Sequence, residues 1–169
     1  SIKVKMRDPN DKWRVSIDGS EFKKIKPEGN ETVLAENLPA GNHKMLLVRS
    51  TEGYMGLTKL RGFELDDGAS LTKPDALKTR RLEFVGDSIT AGAKNDGELK
   101  DNNYNDIEDN DQAYGPKVSR MLDADYSIVA KSGEGVVHNW ADPWPSNQVH
   151  TADRYVWTMY SDKKSDEHA

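Results

Sequence analysis

The chain has 169 residues, no cysteine, a formal net charge of -5 and a mean hydropathy of -0.85. That length accommodates one large or two small domains, and the absence of cysteine excludes a disulfide framework or a thiolate metal site. The acidic balance leaves no basic footprint for nucleic acid or an anionic membrane, no apolar run reaches the length of a span, and 13 aromatic residues argue against wholesale disorder.

In chain order, Trp13, Val15 and Ile17 alternate with polar residues and stop at Asp18-Gly19, a hairpin signal. Thr32 to Ala35 reads as a second strand, just after the sequon Asn30-Glu31-Thr32. Residues His43 to Arg49, launched from Pro39-Ala40-Gly41-Asn42, read as a third, and Lys59 to Leu65 as a fourth. Short strands at this spacing predict an antiparallel β-sandwich over residues 1–75. The pattern breaks between 67 and 80, and an α/β pattern occupies 80–169. Leu82 to Val85 is a buried-type strand. Tyr114, Val118, Met121 and Leu122 fall at helical spacing and predict a helix with one apolar face, with Pro116 tolerated in the first turn. Tyr126 to Ala130 is the next strand and delivers Ser132-Gly133 to the sheet edge that carries Ser88. Only about two strands are countable here, whereas sheets commonly hold ~4–6. An open parallel edge is an aggregation hazard, so the expectation is either a second chain supplying the missing half or a truncated sequence.

The chemistry centres on Gly86-Asp87-Ser88-Ile89-Thr90-Ala91-Gly92. A strand running into Gly-Asp-Ser and then a small-residue helix start sets one hydroxyl on a sharp turn beside free backbone N–H groups. Serine is a weak nucleophile until position and a base activate it, so this layout points to an esterase-type nucleophile. The alternative for Ser88 is a helix cap, which the Gly-Asp-Ser-Ile-Thr context disfavours, and Asp87 reads as a hydrogen-bond partner for the turn. Of Gly133 and Gly135, Gly133 is preferred as the second oxyanion donor. Trp140 and Trp144, the latter between Pro143 and Pro145, could form a sugar-stacking wall or simply cover the core. His43 reads as packing or solvated and His138 as a pocket-lining residue. The acidic stretch with Asp101, Asn103 and Asn105 fails the calcium-loop pattern at Asp106 and Gln112, which leaves a solvated loop.

Gly86-Asp87-Ser88-Ile89-Thr90 resembles the first block of the SGNH (GDSL-type) hydrolases. Asn37 to Lys44, Arg49-Ser50-Thr51-Glu52-Gly53, and Gly62-Phe63-Glu64-Leu65 followed by Arg80 to Phe84 are similar to the two-domain acetylesterases of carbohydrate esterase family 2. Lys131 to Val136 resembles the second block, whose glycine donates to the oxyanion hole. The resemblance implies a jelly-roll β-sandwich followed by an α/β three-layer, flavodoxin-like SGNH domain, the latter incomplete in this chain. It implies a secreted acetylesterase with no cofactor and no metal, acting on acetylated plant polysaccharide of xylan or glucomannan type. Gly-x-Asn-Asp, the family's third block, does not occur. Asp166-Glu167-His168 is the one late Asp/His pairing, making Asp166 and His168 the candidates for acid and base. A carbohydrate-binding module and a half-enzyme subunit without the catalytic histidine remain as alternative readings.

Overall fold

The computed structural model describes residues 1–27, 29–56, 58–98, 100, 106–143, 145 and 148–157. The chain forms two compact units. One comprises Ser1–Ser50 with Met55–Ala76, and the other Thr51–Tyr54 with the described residues from Leu77 onward.

The first unit is all β. Its strands are β1 (Ile2–Arg7), β2 (Trp13–Ile17), β3 (Lys23–Ile25), β4 (Thr32–Ala35), β5 (Met45–Arg49) and β6 (Lys59–Leu65). They make two three-stranded antiparallel sheets, ordered β4-β1-β6 and β3-β2-β5. Both sheets contribute to one apolar cluster. Val4, Met6 and Leu34 from the first and Val15 from the second are at most 3% exposed, with Trp13, Ile17, Met45, Leu47 and Phe63 packed around them. Burying each such side chain contributes on the order of 1.5–3 kcal/mol, which makes this sandwich core the unit's main stabilising term.

The four strands expected from sequence are all present, His43 to Arg49 being shortened to Met45–Arg49. β1 and β3 go beyond that expectation. In β1, Val4 and Met6 are buried while Lys5 and Arg7 are exposed, a period-two pattern with cationic outer positions. β3 has one apolar residue, Ile25, and exists because it pairs with β2 across the hairpin. At that hairpin both Asp18 (φ 54°) and Gly19 (φ 76°) take left-handed backbone, and Ser20 N–H donates to the Ile17 carbonyl at 2.9 Å. This is the twist-matched geometry that Asp-Gly favours. In β6 the register skips between Leu60 and Gly62, opposite Met6 and Lys5, so Gly62 (φ 136°) occupies a β-bulge.

His43 lies just before β5 and fastens it to the hairpin. Its Nδ1 is 2.7 Å from Asp18 Oδ2 and its Nε2 is 2.8 Å from the Pro39 carbonyl. The Asp18 carboxylate, and after it the Pro39 carbonyl, raises the imidazole pKa above 6.5. A raised folded-state pKa means that the contribution is fully present below pH 6.5 and is lost as pH climbs through the raised value. Thermal melts of the wild-type protein should therefore show a fall in Tm across that window, and His43→Gln should flatten this component. An unchanged pH profile in His43→Gln would remove His43 from the account.

The second unit pairs β7 (Arg81–Gly86) with β8 (Asp125–Ala130) in parallel, in register from Arg81↔Asp125 to Gly86↔Ala130. These are the two parallel strands among the described residues. Helix α1 (Ser88–Ala91) follows β7 directly, α2 (Tyr114–Met121) precedes β8, and α3 (Thr151–Arg154) lies after it. Helix α2 forms where expected, and its apolar stripe is the exposed side. Gly115, Pro116 and Ser119 are buried, whereas Tyr114, Val118, Met121 and Leu122 are exposed, Met121 by 84%. The reason is a close approach: a Cβ on Gly115 would stand 3.0 Å from the Phe84 ring, so the small-residue face sits against β7. Tyr114 still packs edge-on to Phe84, with ring centroids 5.7 Å apart.

Candidate functional site

The site is organised by the turn from β7 into α1. Asp87 is the N-cap of α1, and its Oδ1 accepts from Ile89 N–H at 3.1 Å. That bond makes Asp87 the turn's structural partner, as expected, and leaves the capping role to it and not to Ser88. Thr90 is buried beneath, its hydroxyl 3.0 Å from the Tyr114 hydroxyl. A Cβ on Gly86 would lie 2.1 Å from Thr90 Oγ1. The motif thus reflects two constraints: Gly86 clears room for Thr90, and Thr90 anchors the helix to α2.

Gly92 closes α1 with φ 96°, and a Cβ there would lie 2.4 Å from the Asp109 carbonyl oxygen. The Gly92 carbonyl accepts from Asp109 N–H at 3.0 Å, and Asn110 Nδ2 donates to the Ala91 carbonyl at 3.1 Å. The described part of the acidic stretch has a structural task too. Asp109 caps the Asn110–Gln112 turn, and buried Asp111 pairs with Arg120 at 2.7 Å. Asp101, Asn103 and Asn105 lie outside the described residues.

Ser88 is half-buried at the first position of α1. The parallel register sets its turn and the Ser132-Gly133 turn at the same carboxyl end of the sheet, because Gly86 and Ala130 are partners and each chain runs on from there. Among the described residues, neither the Ser88 N–H nor the Gly133 N–H donates a hydrogen bond within the protein. The N–H of Gly135, by contrast, donates to Asn139 Oδ1 at 2.9 Å, and a Cβ on Gly135 would meet the His138 carbonyl oxygen at 2.1 Å. Gly135 is therefore committed to the loop, and Gly133 (φ 78°) is the glycine with a free donor.

A cleft of about 510 Å³ opens beside Gly133, lined among others by Lys131, Ser132, Trp140, Asp142 and Trp157. Ser88 does not line it. Trp140 is 86% exposed and is tied to the turn by its N–H, which donates to the Gly133 carbonyl at 2.8 Å. Its indole is a presented surface and not a core filler. In the cleft wall the Glu134 carboxylate, 2% exposed, accepts from Arg154 Nε at 2.8 Å and Nη2 at 2.9 Å, and the Arg154 guanidinium lies 4.8 Å from the Trp157 ring centre.

His138 is exposed, and His150 caps α3 with Asp153, its Nε2 lying 3.8 Å from Asp142. Trp144, Asp166 and His168 lie outside the described residues. Among the described residues no group of three or more His, Asp or Glu is arranged to hold a metal ion, and no helix is long and apolar enough to cross a membrane.

In chain order, then, a β-sandwich unit precedes a unit in which a parallel strand, a tight turn and a short helix carry Ser88. Residues 1–74 match the N-terminal family of carbohydrate esterase 2. The chain is 31% identical over 154 residues to an acetylxylan esterase / glucomannan deacetylase from Cellvibrio japonicus, covering 88% of this chain and 42% of that one. It superposes with a TM-score of 0.81 and 29% identity on a family 2 carbohydrate esterase with a carbohydrate-binding domain from Corynascus (Myceliophthora fergusii), covering 95% of this chain and 49% of that one. A family 2 esterase from Clostridium thermocellum in complex with cellohexaose superposes with a TM-score of 0.79 and 28% identity, over 93% and 48% of the two chains. The chain belongs to carbohydrate esterase family 2. It spans about half the length of these relatives, each of which holds the matched part and the remainder in one polypeptide. The expectation of a second chain completing the sheet finds no support there.

Substitutions at two glycines and at the Glu134–Arg154 pair test the framework. Gly92→Ala combines strained backbone with a collision against the Asp109 backbone and should cost roughly 3 kcal/mol or more, read as a shift in the denaturant midpoint. Gly86→Ala should cost less, because the threonine side chain it meets can move. Arg154→Ala removes the bidentate partner of the buried Glu134 carboxylate, leaving Lys131 Nζ at 3.8 Å, and should cost roughly 2–3 kcal/mol in the same measurement, part of which Glu134→Gln on that background should restore.

Proposed function

We propose that this chain carries the nucleophile and two oxyanion donors of an SGNH-type serine esterase that removes acetyl groups from plant cell-wall polysaccharide of xylan or glucomannan type. The observation that carries the reading is the pair of uncommitted N–H groups, Ser88 and Gly133, at the same carboxyl edge as the Ser88 hydroxyl. Ser88 Oγ attacks the acetyl carbonyl while a histidine accepts its proton. The tetrahedral oxyanion is held by the N–H groups of Ser88 and Gly133. Collapse breaks the bond to the sugar oxygen, which leaves as a hydroxyl by taking the proton from the imidazolium, and water then releases acetate from the acyl-serine by the same route.

His168, with Asp166 as its acid, is the base candidate this sequence offers, and Trp140 and Trp144 are the candidates for stacking on pyranose faces. The six-stranded sandwich is read as the family's jelly roll and the second unit as its α/β catalytic domain. Support for the substrate class comes from the Cellvibrio relative's acetylxylan and glucomannan activities and from the cellohexaose held by the Clostridium relative.

The test is acetate release from acetylated xylan and glucomannan by the whole protein. Ser88→Ala should lower kcat by several orders of magnitude with little change in melting temperature. Wild-type turnover in Ser88→Ala would overturn the reading. Glycan binding with no Ser88-dependent turnover would favour a carbohydrate-binding module instead. His168→Ala should match the loss in Ser88→Ala, and undiminished activity there would assign the base elsewhere.

A further inference from the structure

Glu52 lies in the short segment Thr51–Tyr54 that joins the second unit although its sequence neighbours belong to the first. Its residue is 6% exposed, and a carboxylate so withdrawn from water is tolerable only when its oxygens are hydrogen-bonded. Both are bonded by a single residue 80 positions away. The Ser132 N–H donates to Glu52 Oε2 at 2.7 Å, and the Ser132 hydroxyl donates to Oε1. Two charge-assisted bonds from one carboxylate fix a residue in position and in rotation.

The residue so held immediately precedes Gly133, whose φ of 78° lies in the left-handed region and whose N–H is uncommitted. The peptide plane between Ser132 and Gly133 carries that N–H. Its direction therefore follows from how Ser132 is oriented. The turn is also held by backbone bonds: Lys131 N–H donates to the Gly86 carbonyl at 3.3 Å, Glu134 N–H to the Lys131 carbonyl at 3.2 Å, and the Trp140 backbone N–H to the Gly133 carbonyl.

We propose that Glu52 is a positioning residue, whose carboxylate clamps Ser132 so that the Gly133 N–H is held toward the oxyanion. The inference rests on the reading of Gly133 as an oxyanion donor. A donor aimed before the reaction stabilises developing charge without reorganising, so loosening the clamp acts on the transition state more than on the bound substrate.

The whole protein with Glu52→Ala, Glu52→Gln and Ser88→Ala tests this, by kinetics on an acetylated xylo-oligosaccharide, thermal melts, and amide NMR of the Ser132 and Gly133 signals. Glu52→Ala should lower kcat roughly tenfold to a hundredfold at nearly constant KM, less than the loss of a donor outright. It should also shift the Gly133 amide resonance and speed exchange of the Ser132 amide. Glu52→Gln should recover most of the rate and the wild-type amide signals, because its amide oxygen accepts from the Ser132 N–H while its NH2 donates to the hydroxyl. Wild-type kcat and unchanged amide signals in Glu52→Ala would overturn the proposal. So would a rate loss that tracks the melting temperature and persists in Glu52→Gln. If Ser88→Ala keeps its activity, the esterase reading has failed, and the amide signals alone still decide whether the clamp exists.

Discussion

Parallel pairing of β7 with β8 is the constraint from which the candidate site follows. Six consecutive register pairs fix the ends of the two strands relative to each other, from Arg81↔Asp125 to Gly86↔Ala130. Whatever emerges from those ends emerges together. The serine turn follows Gly86 and the glycine turn follows Ala130, so a hydroxyl and two backbone donors separated by more than forty positions share one sheet edge. A slip of one residue in a parallel ladder would reverse the facing of every side chain in the moved strand and displace one turn along the sheet by roughly 3.3 Å.

Close approaches of backbone and small side chains enforce that geometry around the edge. Gly115 brings α2 onto the Phe84 ring, Gly86 admits Thr90 under the helix start, and Gly92 lets the 107–110 loop close over the helix end. A Cβ would collide at Gly86 and Gly92 and crowd the ring at Gly115, so these three glycines act as spacers more than as flexible joints. Glu134 with Arg154 and Glu52 with Ser132 then supply the polar locks on the glycine turn's side. The dense part of the second unit is accordingly a layer of fixed turns, while Val136, Val137, Met121 and Ile89 remain exposed around it.

The sandwich unit rests on different physics. Its stability comes from alternation: apolar positions of β1, β2 and β4 meet in one cluster, while Lys3 and Lys5 project outward to pair with Glu64 at 3.1 and 2.7 Å. Such surface pairs contribute little to stability, and their effect is to keep β1 and β6 in register.

Local chemistry determined a good deal of this in advance. The Asp-Gly hairpin, the expected strands of the sandwich, the switch to α/β patterning and the Gly-Asp-Ser turn are all properties of short windows, because backbone dihedrals and side-chain alternation are local. Motif position favours Gly133 over Gly135 as a donor, and the structure adds that the Gly135 N–H donates to Asn139 Oδ1. What sequence could not settle was decided by partners far along the chain. Periodicity placed an apolar stripe on α2 but not its direction, since the approach distance set by Gly115 and Phe84 outweighed the burial that the stripe offered. Nothing in the window around Glu52 names a partner for its carboxylate, and only folding brings Ser132 across 80 residues to its two oxygens. Hydrogen-bond partners of that kind depend on three-dimensional proximity, which no local pattern encodes.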